Sequence, residues 1–393
     1  MNKEIVIVGA ARTPLCGLLG SFKEISAVSL GQVALRAALT RANLPAEKIE
    51  EVIMGCVLPA GLGQAPARQV ALGAGLPVSV DCTTVNKMCG SGMKAVMMAR
   101  DSIIAENYLT VAAGGMESMS NAPYLLPKMR TGLRLGHAQV VDHMFLDGLE
   151  DVYDKGKLMG VFAENCAKQF NFSRKEQDEF AIISLQRAQD AIKKGYFSHE
   201  IAPVKVITKE GEVQIQEDEQ PLKLKIEKIP LLKPSFLKDG TVTPANSSSI
   251  SDGAACLILT TKENALAQGI KPLARIVGVA THSQAPEWFT TAPLAAIKKL
   301  LEKVQWKIKD VDLFEVNEAF AVVTMATMKE LAIAHEKMNI HGGACALGHP
   351  IGASGARILV TLLYALQHYK LKKGIAALCI GGGEATAMAL ELI

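Results

Sequence analysis

Net charge is almost absent. The 42 Lys and Arg nearly cancel the 39 Asp and Glu over 393 residues, leaving a formal +3. That balance excludes the broad electrostatic footprint of a nucleic-acid or membrane-surface protein. Long hydrophobic runs are missing too: none reaches the ~20 residues that cross a bilayer, so no membrane partner is expected. None of the eight cysteines (Cys16, Cys56, Cys82, Cys89, Cys166, Cys256, Cys345 and Cys379) forms a C-x-x-C pair, and a chain of this size needs no disulfide framework. Such usage fits a reducing compartment in which most thiols are small buried apolar groups. Met1-Asn2-Lys3-Glu4-Ile5-Val6-Ile7-Val8 enters a strand pattern with no charged leader or cleavage site, so no secretory signal and a cytoplasmic location are expected. What remains is 49% hydrophobic, 21% charged and 5% aromatic, with 33 Gly and 16 Pro: a soluble globular chain with room for two or three domains.

The chain repeats itself. Lys48–Gly55 and Lys307–Phe314 each lead a polar stretch into a short apolar run that reads as a strand. Cys89-Gly90-Ser91-Gly92 opens a helical pattern followed by a turn and the buried strand Leu109–Ala113; Gly352-Ala353-Ser354-Gly355 opens a second helix followed by a turn and Ile375–Cys379. Two halves in the same strand–turn–helix–strand order predict an α/β fold built by internal duplication. Residues 1–118 with 251–271 form the expected first half and 272–393 the second. Residues 119–250 are an excursion from the first half, loop-rich up to residue 160. Within it Ser173 to Lys194 reads as a helix, with a capping box from Ser173 to Glu176, an apolar stripe of Phe180, Ile183, Ala188 and Ile192, and Gly195 as its stop.

Four segments carry candidate chemistry. Cys89 falls at or just before a helix N-terminus, where exposed N–H groups and the helix dipole stabilise a thiolate. Gly90 and Gly92 there permit a tight turn and close approach of a substrate backbone. A reactive thiol and a buried Cys beneath a glycine turn are both open readings at this point. The segment His341–Arg357 is too rich in Gly, with a His-Pro step, for a regular helix; it reads as a loop presenting His349 to a cleft. His341, Cys345 and His349 do not make a metal site, because that spacing aligns ligands only on an intact helix. Cys379 exits a buried strand into Gly381-Gly382-Gly383, either as a core thiol or as a reactive group beside free N–H donors. Asn317, between a strand and a helix, reads as an N-cap or as an amide that orients a water or a ligand oxygen.

Together these segments, with Gly114–Ser120, Ala163-Glu164-Asn165 and Gly240–Thr243, resemble the thiolase family essentially from Ile5 to the C-terminus. The resemblance implies a five-layered αβαβα fold, two duplicated halves plus an inserted loop domain. It implies a short-chain acyltransferase joining two acetyl-CoA molecules reversibly to acetoacetyl-CoA and CoA through an acyl-cysteine. No cofactor or metal is implied, since the CoA thioesters are substrates. By the resemblance Cys89 is the nucleophile, His349 its base and Cys379 the acid/base at the substrate α-carbon. Asn317 holds a water that forms one oxyanion hole with His349, while the N–H groups of Cys89 and Gly381 form the other. Substrate contacts fall to Leu158, Met159, Phe236, Ser248, Phe289, Ala319 and Phe320. Homo-oligomers are implied, dimers at least, with Pro123–Arg130 resembling the loop that joins dimers into tetramers.

The sequence departs from the family pattern at Leu158 (His in relatives), Leu222 (a basic residue), His341 and Glu384 (uncharged residues). With Leu222 apolar, Lys223, Lys225 or Lys228 are the candidates for gripping the CoA phosphates, or an ordinary solvated face. Large residues at Phe289 and Met159 favour short acyl chains. His341 and Glu384 are expected to pair and brace the loops carrying His349 and Cys379. The alternatives are a 3-ketoacyl-CoA thiolase for longer chains, a decarboxylating synthase, which would need no second cysteine, and a non-catalytic acyl carrier, against which the four polar residues speak.

Overall fold

The computed structural model describes residues 3–209 and 211–393. Its framework strands are β1 (Ile5–Arg12), β2 (Glu51–Gly55), β3 (Asp81–Val85), β4 (Thr110–Ser118), β5 (Ser251–Thr261), β6 (Ala274–Ser283), β7 (Leu313–Val316), β8 (Lys373–Ile380) and β9 (Glu384–Leu392). The principal helices are α1 (Ala27–Ala42), α2 (Ser91–Ile104), α3 (Met159–Phe170), α4 (Arg174–Lys193), α5 (Ala292–Val304), α6 (Ala321–Leu331) and α7 (Ser354–Tyr369). The strand order is β7-β8-β9-β6-β1-β5-β4-β2-β3, and β1 meets β6 through only two residue pairs, Val6 with Arg275 and Ile7 with Ala274. The narrow seam divides the strands into two groups.

The groups share one plan. In the first, β2 runs parallel to β3 and β4, and β4, β5 and β1 follow antiparallel. In the second, β7 runs parallel to β8, and β8, β9 and β6 follow antiparallel. A single parallel bridge between Phe314 and Met338 stands where the first group has β3. The duplication read from the two helix–turn–strand segments is therefore a duplication of sheet topology.

Alternation along the strands builds the layers. On β1, Val6 and Val8 face α1 and the helix Pro66–Gly73, whereas Ile5 and Ile7 face α2 and α7. On β8, Ala376 and Leu378 join α7, whereas Ile375 and Ala377 join α5. The order is thus helix, sheet, central helices, sheet, helix. Sandwiched between two sheets, α7 buries Ala356–Leu363 without a break, as a helix covered on all sides must.

Between β4 and β5 the chain runs through two small hairpins and through α3 and α4. α4 carries the expected capping box at Ser173 and Glu176, and Gly195 follows it at φ 70°. Phe180 and Ala188 of the expected stripe are buried, Ile183 and Ile192 only partly so, and Ala181, Ser184 and Leu185 join the buried face. Polar Asp178 and Ser184 turn inward because they have partners there, Asn246 Nδ2 at 3.0 Å and the Glu318 carboxylate at 2.7 Å.

Candidate active site

α2 and α7 both begin Ser-Gly, and their first turns pack on each other. A Cβ on Gly92 would come 2.8 Å from the Ala356 nitrogen, and one on Gly355 2.4 Å from the Met93 nitrogen. A Cβ on Gly90 would meet Ile380 Cδ1 at 2.4 Å. These glycines serve close approach within the protein rather than room for a substrate backbone, which corrects the expectation for Gly90 and Gly92. The space saved brings the turn before α2, the turn before α7 and the end of β8 together.

Each helix-start serine braces its turn. Ser91 Oγ accepts from the Lys87 N–H at 2.8 Å and donates to the Met88 carbonyl at 2.7 Å. Met88 is thereby held at φ 47°, a left-handed conformation that costs roughly 1 kcal/mol outside glycine. Cys89 follows it, two residues ahead of α2. Ser354 Oγ donates to the Pro350 carbonyl at 2.9 Å and lies 2.6 Å from His349 Nδ1. With its single proton on Pro350, Ser354 accepts from Nδ1–H, so His349 Nε2 carries the free lone pair. Among the described residues Nε2 has no partner, and burial with the nearby Arg357 charge lowers the ring's pKa to about 3. His349 is a neutral base at physiological pH.

Cys89, His349, Cys379 and Gly381 line one cavity of about 360 Å³. Leu158, Met159, Phe236, Ser248, Phe289, Ala319 and Phe320 line it as well, so these expected contact residues are gathered at one place. The N–H groups of Gly381 and of Cys89 itself point at the Cys89 sulfur. They do not make it a thiolate: burial outweighs them and pushes the thiol up to about 11. The helix-start expectation of a stabilised thiolate is corrected on that account, since desolvation of the anion exceeds what two N–H dipoles return. Cys379 is buried, and its thiol too is pushed up well above its ordinary value, by desolvation and by the neighbouring Cys89.

Asn317 is buried and is not an N-cap: α6 starts four residues later, after Phe320. Its N–H donates to the Ala377 carbonyl at 3.0 Å, its Oδ1 accepts from Arg357 Nη2 at 3.4 Å, and its Nδ2 has no partner among the described residues. Lys223, Lys225 and Lys228 are not brought to the cavity. All three are exposed, and Lys223 pairs with Glu219 at 2.7 Å. His341 and Glu384 do not pair. His341 is buried among Tyr196, Phe197 and Tyr369, at ring distances of 5.2, 5.7 and 5.7 Å, and burial lowers its pKa to about 4. Glu384 instead takes Lys87, a cation that needs no proton uptake to bind it, at 2.7 Å.

The family comparison agrees with this geometry. Residues 5–263 match the thiolase N-terminal domain and residues 270–392 the thiolase C-terminal domain. The chain belongs to the thiolase family. A relative named acetyl-CoA acetyltransferase 1, from Arabidopsis thaliana, is 51% identical over 395 residues, covering 100% of this thiolase and 95% of the relative. The crystal structure of the Bacillus anthracis acetyl-CoA acetyltransferase superposes with a TM-score of 0.97 at 40% identity, covering 100% of both chains. An Ascaris suum thiolase solved in complex with coenzyme A gives 0.94 at 42%, again over 100% of both.

Two buried charges of this thiolase escaped the reading of its motifs. Glu117 accepts the N–H groups of Val57, Leu58 and Gly352 at 3.0, 3.1 and 2.8 Å, joining the loop after β2 to the approach of α7. Burial raises its carboxyl to about 7 against those three donors. Arg357 is buried with Nη1 3.6 Å from Glu315 and, among the described residues, only the Asn317 amide within hydrogen-bond reach of its side chain. The available signals were a Glu inside the apolar strand Thr110–Ser118 and an Arg inside the apolar run of α7, since charges in such places are rare without a partner.

Proposed function

We propose that this thiolase is an acetyl-CoA C-acetyltransferase, and that the convergence of Cys89, His349, Cys379 and Gly381 on one cavity carries the reading. Cys89 Sγ attacks the acyl carbon of acetyl-CoA while its proton passes to His349 Nε2. The N–H groups of Cys89 and Gly381, already aimed at the sulfur, receive the developing oxyanion. The carbon–sulfur bond to CoA breaks, and Cys379 gives its proton to the departing thiolate. A thioester is exchanged for a thioester, so the acyl group stays activated.

A second acetyl-CoA then loses a methyl proton to the Cys379 thiolate. Its enolate oxygen is stabilised by protonated His349 and by a water held on Asn317 Nδ2, two groups with no hydrogen-bond partner among the described residues. The carbanion attacks acetyl-Cys89, acetoacetyl-CoA forms, and His349 returns the proton to the Cys89 sulfur. Thiolysis is the reverse course with CoA as the final thiol.

Short chains follow from the lining, where Phe145, Leu149, Leu158, Met159, Phe289 and Phe320 narrow the space around the thiols. The chain from 119 to 250 is proposed as a domain inserted within the first of two duplicated halves, 1–118 with 251–271, ahead of the second half, 272–393. Two features support an oligomer. β3 is an outermost strand flanked by exposed Val78 and Leu109, and the hairpin of Tyr124–Leu125 with Val141–Asp142 exposes Tyr124, Leu126, Leu135 and Val140. We favour a tetramer, in which that hairpin joins dimers, and a cytoplasmic location, to which eight free cysteines are suited.

The test is thiolysis of acetoacetyl-CoA by CoA, followed by loss of its absorbance, against a 3-ketoacyl-CoA chain-length series. Highest kcat/KM is expected with acetoacetyl-CoA. Equal or better turnover of 3-ketooctanoyl-CoA would overturn the short-chain assignment, and no turnover of any member would overturn the enzyme.

A further inference from the structure

The N–H groups that point at the Cys89 sulfur come from different halves of the chain. One belongs to the turn between β3 and α2, the other to the turn between β8 and β9. The second turn is not stiff by composition, with Gly382 and Gly383 at φ 91° and 87°, and the first is braced by Ser91 only within itself, not against the second. The contact of Gly90 with Ile380 sets how near the turns come, but an apolar contact is non-directional and leaves them free to slide.

A directional link spans them. Lys87 Nζ lies 2.9 Å from Glu384 Oε1 and 2.7 Å from Oε2, across 297 residues of sequence. Ser283 Oγ donates to the same Oε1 at 3.1 Å. Lys87 is two residues before Cys89, and Glu384 opens β9 three residues after Gly381. We infer that Lys87 and Glu384 are positioning residues for acyl transfer, holding the Cys89 and Gly381 N–H groups at the spacing an acyl oxygen requires. The inference rests on the proposed acyl-transfer function.

The pair is partly exposed, at 21% and 33%, so it adds little to folding stability. Its effect is geometric, because donors aimed at a developing charge lose their worth when displaced by fractions of an ångström. Partial exposure also makes the link sensitive to salt.

The experiment compares the full-length enzyme with Glu384→Ala, Lys87→Met and the swapped double variant Lys87→Glu/Glu384→Lys. Each single variant is expected to lower Cys89 acylation by acetyl-CoA, and kcat, about tenfold, with KM within about twofold. Melting temperatures should stay within about 2 °C of the parent, and the swap should recover most of the rate. Raising salt should slow the parent toward the single variants and leave Glu384→Ala unchanged. Acylation of Glu384→Ala at the parental rate, or loss of rate only in step with melting temperature, would overturn the inference. A parental enzyme that fails to acylate would instead overturn the proposed function.

Discussion

The turn before α2 and the turn before α7 start from the same device and end in different chemistry. In both, a helix-start serine returns a hydrogen bond to a carbonyl three or four residues back, Ser91 to Met88 and Ser354 to Pro350. In the first half the braced turn carries a thiol, partly exposed to the cavity; in the second it carries an imidazole whose lone pair is left free. Duplication thus supplied two braced turns at one helix crossing, and divergence placed the thiol on one and the imidazole on the other. The comparison also explains why neither group is charged at rest. Burial raises the thiol to about 11 and lowers the imidazole to about 3, so the neutral pair is favoured until a substrate arrives.

A second contrast within the cavity lies between the two thiols. Cys89 has two N–H groups aimed at it, whereas Cys379 has its own N–H and a neighbouring thiol that opposes ionisation. If that difference divides the labour, Cys89→Ser should abolish acetylation from acetyl-CoA, a loss of about three orders of magnitude or more. Cys379→Ala should still acetylate, seen as a mass gain on Cys89, yet lose exchange of the acetyl methyl protons with solvent. Normal exchange in Cys379→Ala would erase the contrast.

The thiol–imidazole comparison can be sharpened by removing the base. With His349→Ala, acylation should fall by about two to three orders of magnitude. The remaining thiol has a pKa raised by burial, so its thiolate fraction at neutral pH is small and grows as pH rises. Alkylation by iodoacetamide should therefore increase about tenfold per pH unit and keep rising beyond pH 9. A plateau near pH 7 would mean that the two N–H groups outweigh desolvation after all.

The smallest effect concerns the crossing itself. Gly355→Ala places a methyl 2.4 Å from a backbone nitrogen of α2, an overlap that only separation of the helix starts relieves. A destabilisation of about 1–3 kcal/mol by thermal or denaturant unfolding is expected, with acylation slowed alongside it. An unchanged melting curve would show that the two turns are held by something other than this contact.

Much of the site was legible because chemistry and backbone requirement fall on neighbouring residues. Cys89 before Gly90-Ser91-Gly92, and Cys379 before three glycines, announce turns at element ends, where reactive groups can face a cleft. The partners of His341 and Glu384 were not legible: each borders a glycine motif, but Glu384 found Lys87 and His341 found Tyr196 and Phe197, neighbours supplied by distant segments. Glu117 and Arg357 stand in apolar runs that mark them as buried charges, but their partners, at Val57, Leu58, Gly352 and Asn317, come from distant segments and were not legible.

By itself the sequence determined the α/β duplication, the capping box of α4 and the identities of the thiols and imidazole that meet in the cavity. These depend on periodicity, turn residues and residue type, which are local properties. Tertiary structure alone decided their protonation and their partners. Whether Cys89 is a thiolate depends on how much water the surrounding layers exclude, and whether Asn317 presents its nitrogen depends on a guanidinium from α7. Desolvation and long-range contact are set by the packing of both halves, so no stretch of either half could reveal them.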